Sequence, residues 1–442
     1  MTAKPKILVV PHRTAVLSEF ATSFHVLIRL QAPKTPESKP LRAPLNIALV
    51  LDRSGSMAGG PLREAKNCSK MIIDQLGPND NVSIITYDHN VSVLVPPTPT
   101  KDKDIFYRAL KTIKSGGSTN LFGGWEKAMT LLQQTVSPNS VTRVLLLSDG
   151  QANAGIVDPD EIYTACSVAA QKGISTSTYG LGHHFNEDLM IGMARSGQGN
   201  GYYGETAKDL VDPFTEEFDL LSSLCAKNTR LQVKSAEDVR IKLLNQFPQQ
   251  EGGAYCLPNL AYESESWALL QISIPSTKSG NGDGKTMIDL GVISVEYQDM
   301  DGNTITLDDV SIQLPGLPSV AWKTLVPNDL VSKRIAEIEA ARIQDQAKNA
   351  ARRGDWGKVQ RLLKKAKENA QDNEWLEKTV TTLESLAALR DSRRFSKESS
   401  YSSAKMSSRL SALNEQSNDD ESIPSFLRRK WRQGKSRDNP DS

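Results

Sequence analysis

Asn46-Ile47-Ala48-Leu49-Val50-Leu51-Asp52-Arg53-Ser54-Gly55-Ser56 is the stretch on which the reading of this chain turns. Its first six residues carry almost no polar group and are rich in branched aliphatics, which predicts a strand buried on both faces. The run ends in a carboxylate and two hydroxyls at alternate positions, Asp52, Ser54 and Ser56. Gly55, Gly59 and Gly60 then relax the backbone before a helix starting near Pro61. Strand, polar turn and helix in that order put the turn at the carboxyl end of the strand, where open α/β sheets hold their ligands. Oxygen donors of this kind suit a hard cation such as Mg2+ rather than zinc or copper.

Two further segments complete the set. Ser115-Gly116-Gly117-Ser118-Thr119-Asn120 is a glycine-rich loop with a hydroxyl at Thr119, and Val144-Leu145-Leu146-Leu147-Ser148-Asp149-Gly150 is a second buried strand ending in a carboxylate. A lone Asp-x-Ser-x-Ser reads as well as an N-cap and turn. Three segments in this order, each at a strand end, resemble the D-x-S-x-S … T … D-G pattern of the von Willebrand factor type A (VWA) domain, in its bacterial intracellular form with a MIDAS metal site. That resemblance implies a metal held by Asp52, Ser54, Ser56, Thr119 and Asp149, with Mg2+ as the ion and Mn2+ or Ca2+ as alternatives. In the family the serines bind the metal directly, and the carboxylates act directly or through water. An octahedral ion held mostly by hydroxyls and water keeps one position open, which a carboxylate of a partner protein would fill. Asp52 is also expected to orient the serine hydroxyls.

Composition narrows the function classes. A length of 442 residues suggests roughly three domains. Lysine plus arginine is 53 against 52 acidic residues, so net charge gives no global attraction to nucleic acid or membrane. Cys68, Cys166, Cys225 and Cys256 lie far apart, form no C-x-x-C pair and fit a reducing compartment. The isolated pair His183-His184 reads as loop or helix-cap residues ahead of a metal site. Residues 1–10 lack the core and cleavage site of a signal peptide, and no stretch approaches the roughly 20 apolar residues of a membrane helix. A cytoplasmic protein is the expectation, which excludes a pore-forming subunit. No G-x-x-x-x-G-K-[ST] occurs, and neither Ser54 nor Ser56 has a histidine or lysine base nearby in sequence. Binding is therefore expected rather than catalysis.

The expected architecture is a doubly wound, Rossmann-like VWA domain inserted in a β-sandwich, followed by an α-helical region and a disordered tail. Residues 1–44 supply a β segment, with a strand at 24–30, that pairs with a later β region. Residues 45–225 alternate strand and helix, the signature of βαβ units and a mainly parallel sheet. Strands at 82–87 and 91–95 are too close for a parallel crossover, so they form an antiparallel hairpin at a sheet edge. Residues 226–325 are strand-rich, and strands on both sides of the α/β segment make its insertion into a sandwich the simplest arrangement. Residues 326–392 switch to a helical period, marked by Ile335 and Ile338, by Gly354-Asp355-Trp356, and by Trp375 and Val380. Residues 393–442 are serine-rich and charged, with little apolar surface to offset ordering entropy.

Inside that tail, residues 421–431 resemble the C-terminal peptide of the bacterial tubulin-like division protein. Ile423, Pro424, Phe426, Leu427 and Arg428 are the expected docking residues for a second protein. Six of the ten residues 428–437 are basic, so a membrane-surface or RNA-binding tail is the competing reading. The expected function is a cytoplasmic, metal-dependent protein-interaction module that captures an acidic residue of a partner. The alternative is an adaptor or regulator of a separate AAA+ ATPase or another multiprotein machine.

Overall fold

The structure is a computed structural model that describes residues 3–18, 20–36, 42–149, 152–182, 185–204, 206–275, 287–370, 373–413 and 424–428. Three strands open the chain: β1 (Lys6–Pro11), β2 (Val16–Leu17) and β3 (Thr22–Gln31). The α/β domain follows as β4 (Leu45–Asp52), α1 (Gly60–Gln75), β5 (Asn81–Tyr87), β6 (Val91–Pro99), α2 (Asp104–Thr112), α3 (Leu121–Leu132), β7 (Val141–Ser148), α4 (Pro159–Gln171), β8 (Ile174–Leu181), α5 (Glu187–Ser196), β9 (Gln198–Gly204) and α6 (Ala207–Ser222). Strands then return as β10 (Leu224–Ser235), β11 (Arg240–Leu243), β12 (Tyr255–Cys256), β13 (Leu260–Ala261), β14 (Ser264–Ile274), β15 (Met287–Gln298), β16 (Thr304–Thr306) and β17 (Val310–Leu317). Helices α7 (Ser319–Lys323), α8 (Asp329–Arg352), α9 (Trp356–Asn369), α10 (Glu374–Ala388) and α11 (Ser392–Ser408) precede the short strand β18 (Ser411–Ala412).

The six-stranded sheet has the order β6-β5-β4-β7-β8-β9 and is parallel except for the β5–β6 hairpin at one edge. Every residue of β4, β7 and β8 is buried, which is why these strands read as continuous runs rather than alternating ones. Successive side chains still point to opposite faces. Leu49, Leu51, Leu145 and Leu147 pack toward α1 and α6, while Ala48, Val50, Val144 and Leu146 pack toward α3, α4 and α5.

The sandwich consists of one sheet ordered β1-β3-β14-β11, with β18 on β14, and a second ordered β12-β10-β15-β17-β2. Strand β3 pairs with β14 from Gln31 opposite Glu265 to Thr22 opposite Ile274. Strands from before and after the α/β domain are thus neighbours, and that domain is an insertion in the sandwich. A buried charge cluster fastens the helical region to it. Arg334 on α8 donates to Glu337 at 2.9 Å and to Ser411 at 3.0 Å, stacks over Trp267 of β14, and lies 3.5 Å from Glu265, which Arg29 of β3 also holds.

Two parts of the sequence reading need correction. The α/β segment expected over residues 45–225 closes earlier: α6 stops at Ser222, and β10 begins at Leu224 as a central strand of the sandwich. Asn228 sits at φ 51°, and the register to β15 shifts between Lys227 and Arg230, so a bulge breaks the two-residue period. Disorder from residue 393 is also incorrect, because α11 and β18 occupy 392–412. Asp391 caps α11 by accepting from the N–H groups of Arg393 and Arg394. The helix is buried along most of its length. Ser399, Ser402 and Ser403 are small enough for close approach to α8, whose buried residues include Ala340, Ala347 and Ala350, while Phe395, Tyr401 and Met406 enter three different apolar clusters. Residues 414–423 and 429–442 lie outside the described residues, as do His183-His184. Among the described residues no helix is long and apolar enough to cross a membrane.

Candidate metal centre

Strands β4 and β7 are parallel neighbours with Leu51 opposite Leu147, so Asp52 and Asp149 leave the sheet side by side. Asp52 is fully buried. Its Oδ1 accepts the Ser54 N–H at 2.8 Å, and its Oδ2 accepts the Ser148 hydroxyl at 2.7 Å. The Ser54 and Ser56 hydroxyls share a hydrogen bond of 3.1 Å, and Ser56 Oγ donates to Asp149 Oδ1 at 3.0 Å. One continuous run therefore joins Ser148, Asp52, Ser54, Ser56 and Asp149. Ser54 is buried and Ser56 is exposed, so the run opens to solvent at the Ser56 end. Between them the chain makes a single 3-10 turn, Gly55–Met57, anchored by the buried Met57.

Thr119 arrives on the glycine-rich loop. Gly55 N–H donates to the Gly117 carbonyl at 3.0 Å, and Gly116 N–H to the Arg53 carbonyl at 2.8 Å, so the two loops run paired. Gly117 has φ +80°, and a Cβ there would fall 2.6 Å from His89 Nδ1, which restricts the position to glycine. Thr119 itself is buried, its N–H held by Asn153 Oδ1 at 2.8 Å and its carbonyl accepting from the N–H groups of Asn153 and Ala154. The main chain fixes Thr119 beside the serines. Its hydroxyl is not a link in their hydrogen-bonded run.

Burial pushes the Asp52 carboxyl above its usual range, opposed by the hydrogen bonds from Ser54 and Ser148. Asp149 is pushed up to about 6, first by burial, with the Ser56 bond opposing and the charge of Asp52 adding to the rise. Among the described residues neither carboxylate makes an ion pair, because the adjacent Arg53 is turned to Asp88 at 3.1 Å. The centre thus offers two acids and three hydroxyls with no protein cation between them. Among the described residues no group of three or more His, Cys, Asp or Glu has metal-binding geometry, so the nitrogen and sulfur donors a softer metal prefers are not gathered here.

The sequence reading missed Ser148 and Asn153. Ser148 was visible as the hydroxyl directly before Asp149, but its bond to Asp52 requires knowing that β4 and β7 are neighbours. Gly150 and Ile423 lie outside the described residues. Of the tail residues, the described Pro424, Phe426, Leu427 and Arg428 are not brought to this centre. Ser425–Leu427 form one 3-10 turn against α6, where Ser425 Oγ donates to Asp219 Oδ2 at 2.6 Å. The sequence had Phe426 and Leu427 exposed, whereas Leu427 is 2% exposed and Phe426 packs against the same core, because α6 presents them an apolar surface.

Residues 46–216 match the von Willebrand factor type A domain. The chain is 15% identical to a von Willebrand factor type A protein from Catenulispora acidiphila, with a TM-score of 0.67 over 86% of this chain and 89% of that one. It is 18% identical to the ArnB paralog VWA2 from Sulfolobus acidocaldarius, with a TM-score of 0.63 over 91% of this chain and 98% of that one. The α/β domain is thus similar in sequence to the VWA domain, and most of the chain shares the fold of these VWA proteins. Among curated relatives, the uncharacterised protein sll0103 of Synechocystis sp. is 27% identical over 224 residues, which are 50% of this chain and 52% of that protein. The chain spans about half the length of this relative.

Proposed function

We propose that the protein is a cytoplasmic, metal-dependent interaction module in which Mg2+ held by Asp52, Ser54, Ser56, Thr119 and Asp149 captures an acidic residue of a partner protein. The observation that carries this reading is the run from Ser148 through Asp52, Ser54 and Ser56 to Asp149 at two adjacent strand ends. A donor set of hydroxyls and two unpaired carboxylates suits a hard cation, Mg2+ first and Mn2+ or Ca2+ as alternatives. Mg2+, when bound, supplies a Lewis-acidic position for a carboxylate. Each Asp52 oxygen already accepts one hydrogen bond, so besides its part in holding the ion, directly or through water, Asp52 holds the turn that carries Ser54 and Ser56. Catalysis is not assigned. The Ser54 and Ser56 hydroxyls bond to each other and to Asp149, and among the described residues neither has a histidine or lysine base.

The segment with Ile423, Pro424, Phe426, Leu427 and Arg428 serves a second partner, which must lift Phe426 and Leu427 from α6 to engage them. Affinity capture with the full chain tests the main reading. A partner retained in Mg2+, released by chelator and not captured by Asp52→Ala is the expected result. An ATPase among the released proteins selects the adaptor role. Identical captures with Mg2+, with chelator and with Asp52→Ala reject metal-dependent binding.

A further inference from the structure

Helix α9 concentrates positive charge on one exposed face. Its 14 residues carry five cations and a single acid, Glu368, a net charge of +4 in a chain whose formal net charge is only +1. Lys367 is matched by Glu384 of α10 at 2.8 Å. Arg353, at the end of α8, and Lys358, Arg361, Lys364 and Lys365 of α9 are exposed, and among the described residues their side chains make no ion pair or hydrogen bond. Lys358, Arg361 and Lys365 follow at i, i+3 and i+7, so they stand on one side of the helix with Lys364 at its flank. Val359, Leu363 and Ala366 are buried on the other side. Like charges at such spacings repel one another, and an anionic partner removes that repulsion.

Ion pairs at the end of α8 fix where this face lies. Arg352 holds Glu187 at 2.5 Å and Asp188 at 2.6 Å, and Lys348 holds Asp188 at 3.1 Å, all in the first turn of α5. Helix α5 follows the carboxyl end of β8. Strands β7 and β8 are parallel, with Ser148 opposite Gly180, so α5 begins at the same end of the sheet as Asp149. Trp356 opens α9 four positions after Arg352. The basic face therefore starts beside the end of the sheet that carries the metal centre. Glu187 and Asp188, the acids of α5 that border it, are already held by Arg352 and Lys348.

Three kinds of polyanion meet such a face, and the surroundings favour one. A bilayer takes up a basic helix through apolar residues beside its cations, and here Val359, Leu363 and Ala366 are turned inward. Single-stranded nucleic acid stacks on exposed rings, whereas Trp356 packs edge-on against Phe395. An acidic polypeptide needs only the cations. We propose that the exposed face of α9, with Arg353, docks an acidic segment of the same partner protein whose carboxylate the metal centre captures. The identity of the partner rests on that capture; the surface rests on its charge alone. Exposed cations at the rim of a binding surface act chiefly on association, and their effect fades as salt is added.

The test uses the full chain and a fluorescein-labelled polyglutamate peptide, with association followed by stopped-flow anisotropy at low ionic strength. Saturable binding is expected in chelator and tighter binding in Mg2+. Lys358→Glu with Arg361→Glu and Lys365→Glu should slow association at least about tenfold in both conditions. The same charge change on α2, Lys101→Glu with Arg108→Glu and Lys111→Glu, should change it less than about threefold. If the α9 variant melts early, glutamine at the same three positions decides, with association at least about threefold slower expected. A wild type that gains nothing from Mg2+ counts against the metal centre, while an α9 effect that persists in chelator still supports the surface. Association unchanged by the α9 variants or an equal loss in the α2 variant overturns the proposal. Tighter α9-dependent binding of polyuridylate, or of equimolar phosphatidylserine–phosphatidylcholine vesicles, than of polyglutamate overturns it as well.

Discussion

Ser148 Oγ donates a 2.7 Å hydrogen bond to Asp52 Oδ2, fastening the ends of two neighbouring strands across 96 positions of sequence. The other oxygen of Asp52 holds the Ser54 N–H. The most buried acid of the centre therefore acts on the turn, which leaves Ser54, Ser56, Thr119 and Asp149 as the donors nearer solvent. Mg2+ or Mn2+ should raise the melting temperature of the wild type by mass action, and Asp52→Ala should lose that rise while remaining folded. Ser148→Ala should weaken Mg2+ binding about 10–100-fold, the usual cost of removing a group that orients a ligand. An undiminished metal response in Asp52→Ala combined with Asp149→Ala would show that the ion binds elsewhere.

Leu146 is fully buried in the middle of β7, between Val50 of β4 and Thr178 of β8. Truncation leaves a cavity that a sheet with neighbours on both sides cannot collapse. Leu146→Ala should cost about 2–5 kcal/mol in urea unfolding. A loss below about 1 kcal/mol, the size of a surface effect, would contradict the placement.

The parts of this molecule that could be read in the sequence are those where one pattern is unbroken. The β4 and β7 segments are continuous apolar runs ending in polar turns, so both the sheet and the carboxylate positions showed themselves. The β5–β6 hairpin was legible because the three-residue link Asp88-His89-Asn90 left no other geometry. Strand β10 was hidden by its own bulge at Asn228, which shifts the alternation partway along. Helix α11 was hidden for a different reason. A helix buried on nearly all sides has no polar face, and this one reaches burial with serines against alanines rather than with large apolar residues. Composition alone then looks like a solvated tail. The link from Ser148 to Asp52 is tertiary, and no local pattern encodes it.

Asp80 ties the chain entering the α/β domain to the start of β5. It takes both arms of the Arg42 guanidinium at 2.8 and 2.6 Å, and the N–H groups of Leu45 and Gly77 at 2.8 Å each. Burial alone would raise its pKa, but the Arg42 bonds and the two N–H groups outweigh this and hold it below the ordinary value of 3.8. A carboxyl depressed in the native state contributes its stability in full above the unfolded pKa, here about pH 4, and loses it as pH falls through the lower native value. Asp80→Asn should therefore lower stability at pH 7 and flatten the loss of stability below about pH 4. Urea unfolding at a series of pH values checks this. A variant with an unaltered acid-side slope would show that Asp80 is not a source of the acid sensitivity.

The contact between the C-terminal turn and α6 gives a prediction in which two substitutions act with opposite signs. Burying one leucine side chain is worth about 1.5–3 kcal/mol, and the Ser425 bond to Asp219 adds about 1 kcal/mol. A partner that binds the same residues with micromolar affinity gains about 8 kcal/mol, so it can displace this contact. Asp219→Ala weakens the docked state without touching the segment, so it should increase capture of a partner that reads Phe426 and Leu427. Phe426→Ala with Leu427→Ala also frees the segment but removes its anchors, so it should abolish that capture while the α/β domain stays folded. Faster amide exchange at residues 424–428 in both variants would confirm that each has released the turn from α6. If neither variant changes capture and binding instead disappears with added salt, attraction to the basic residues after Arg428 is responsible and the docking role of Phe426 and Leu427 is wrong.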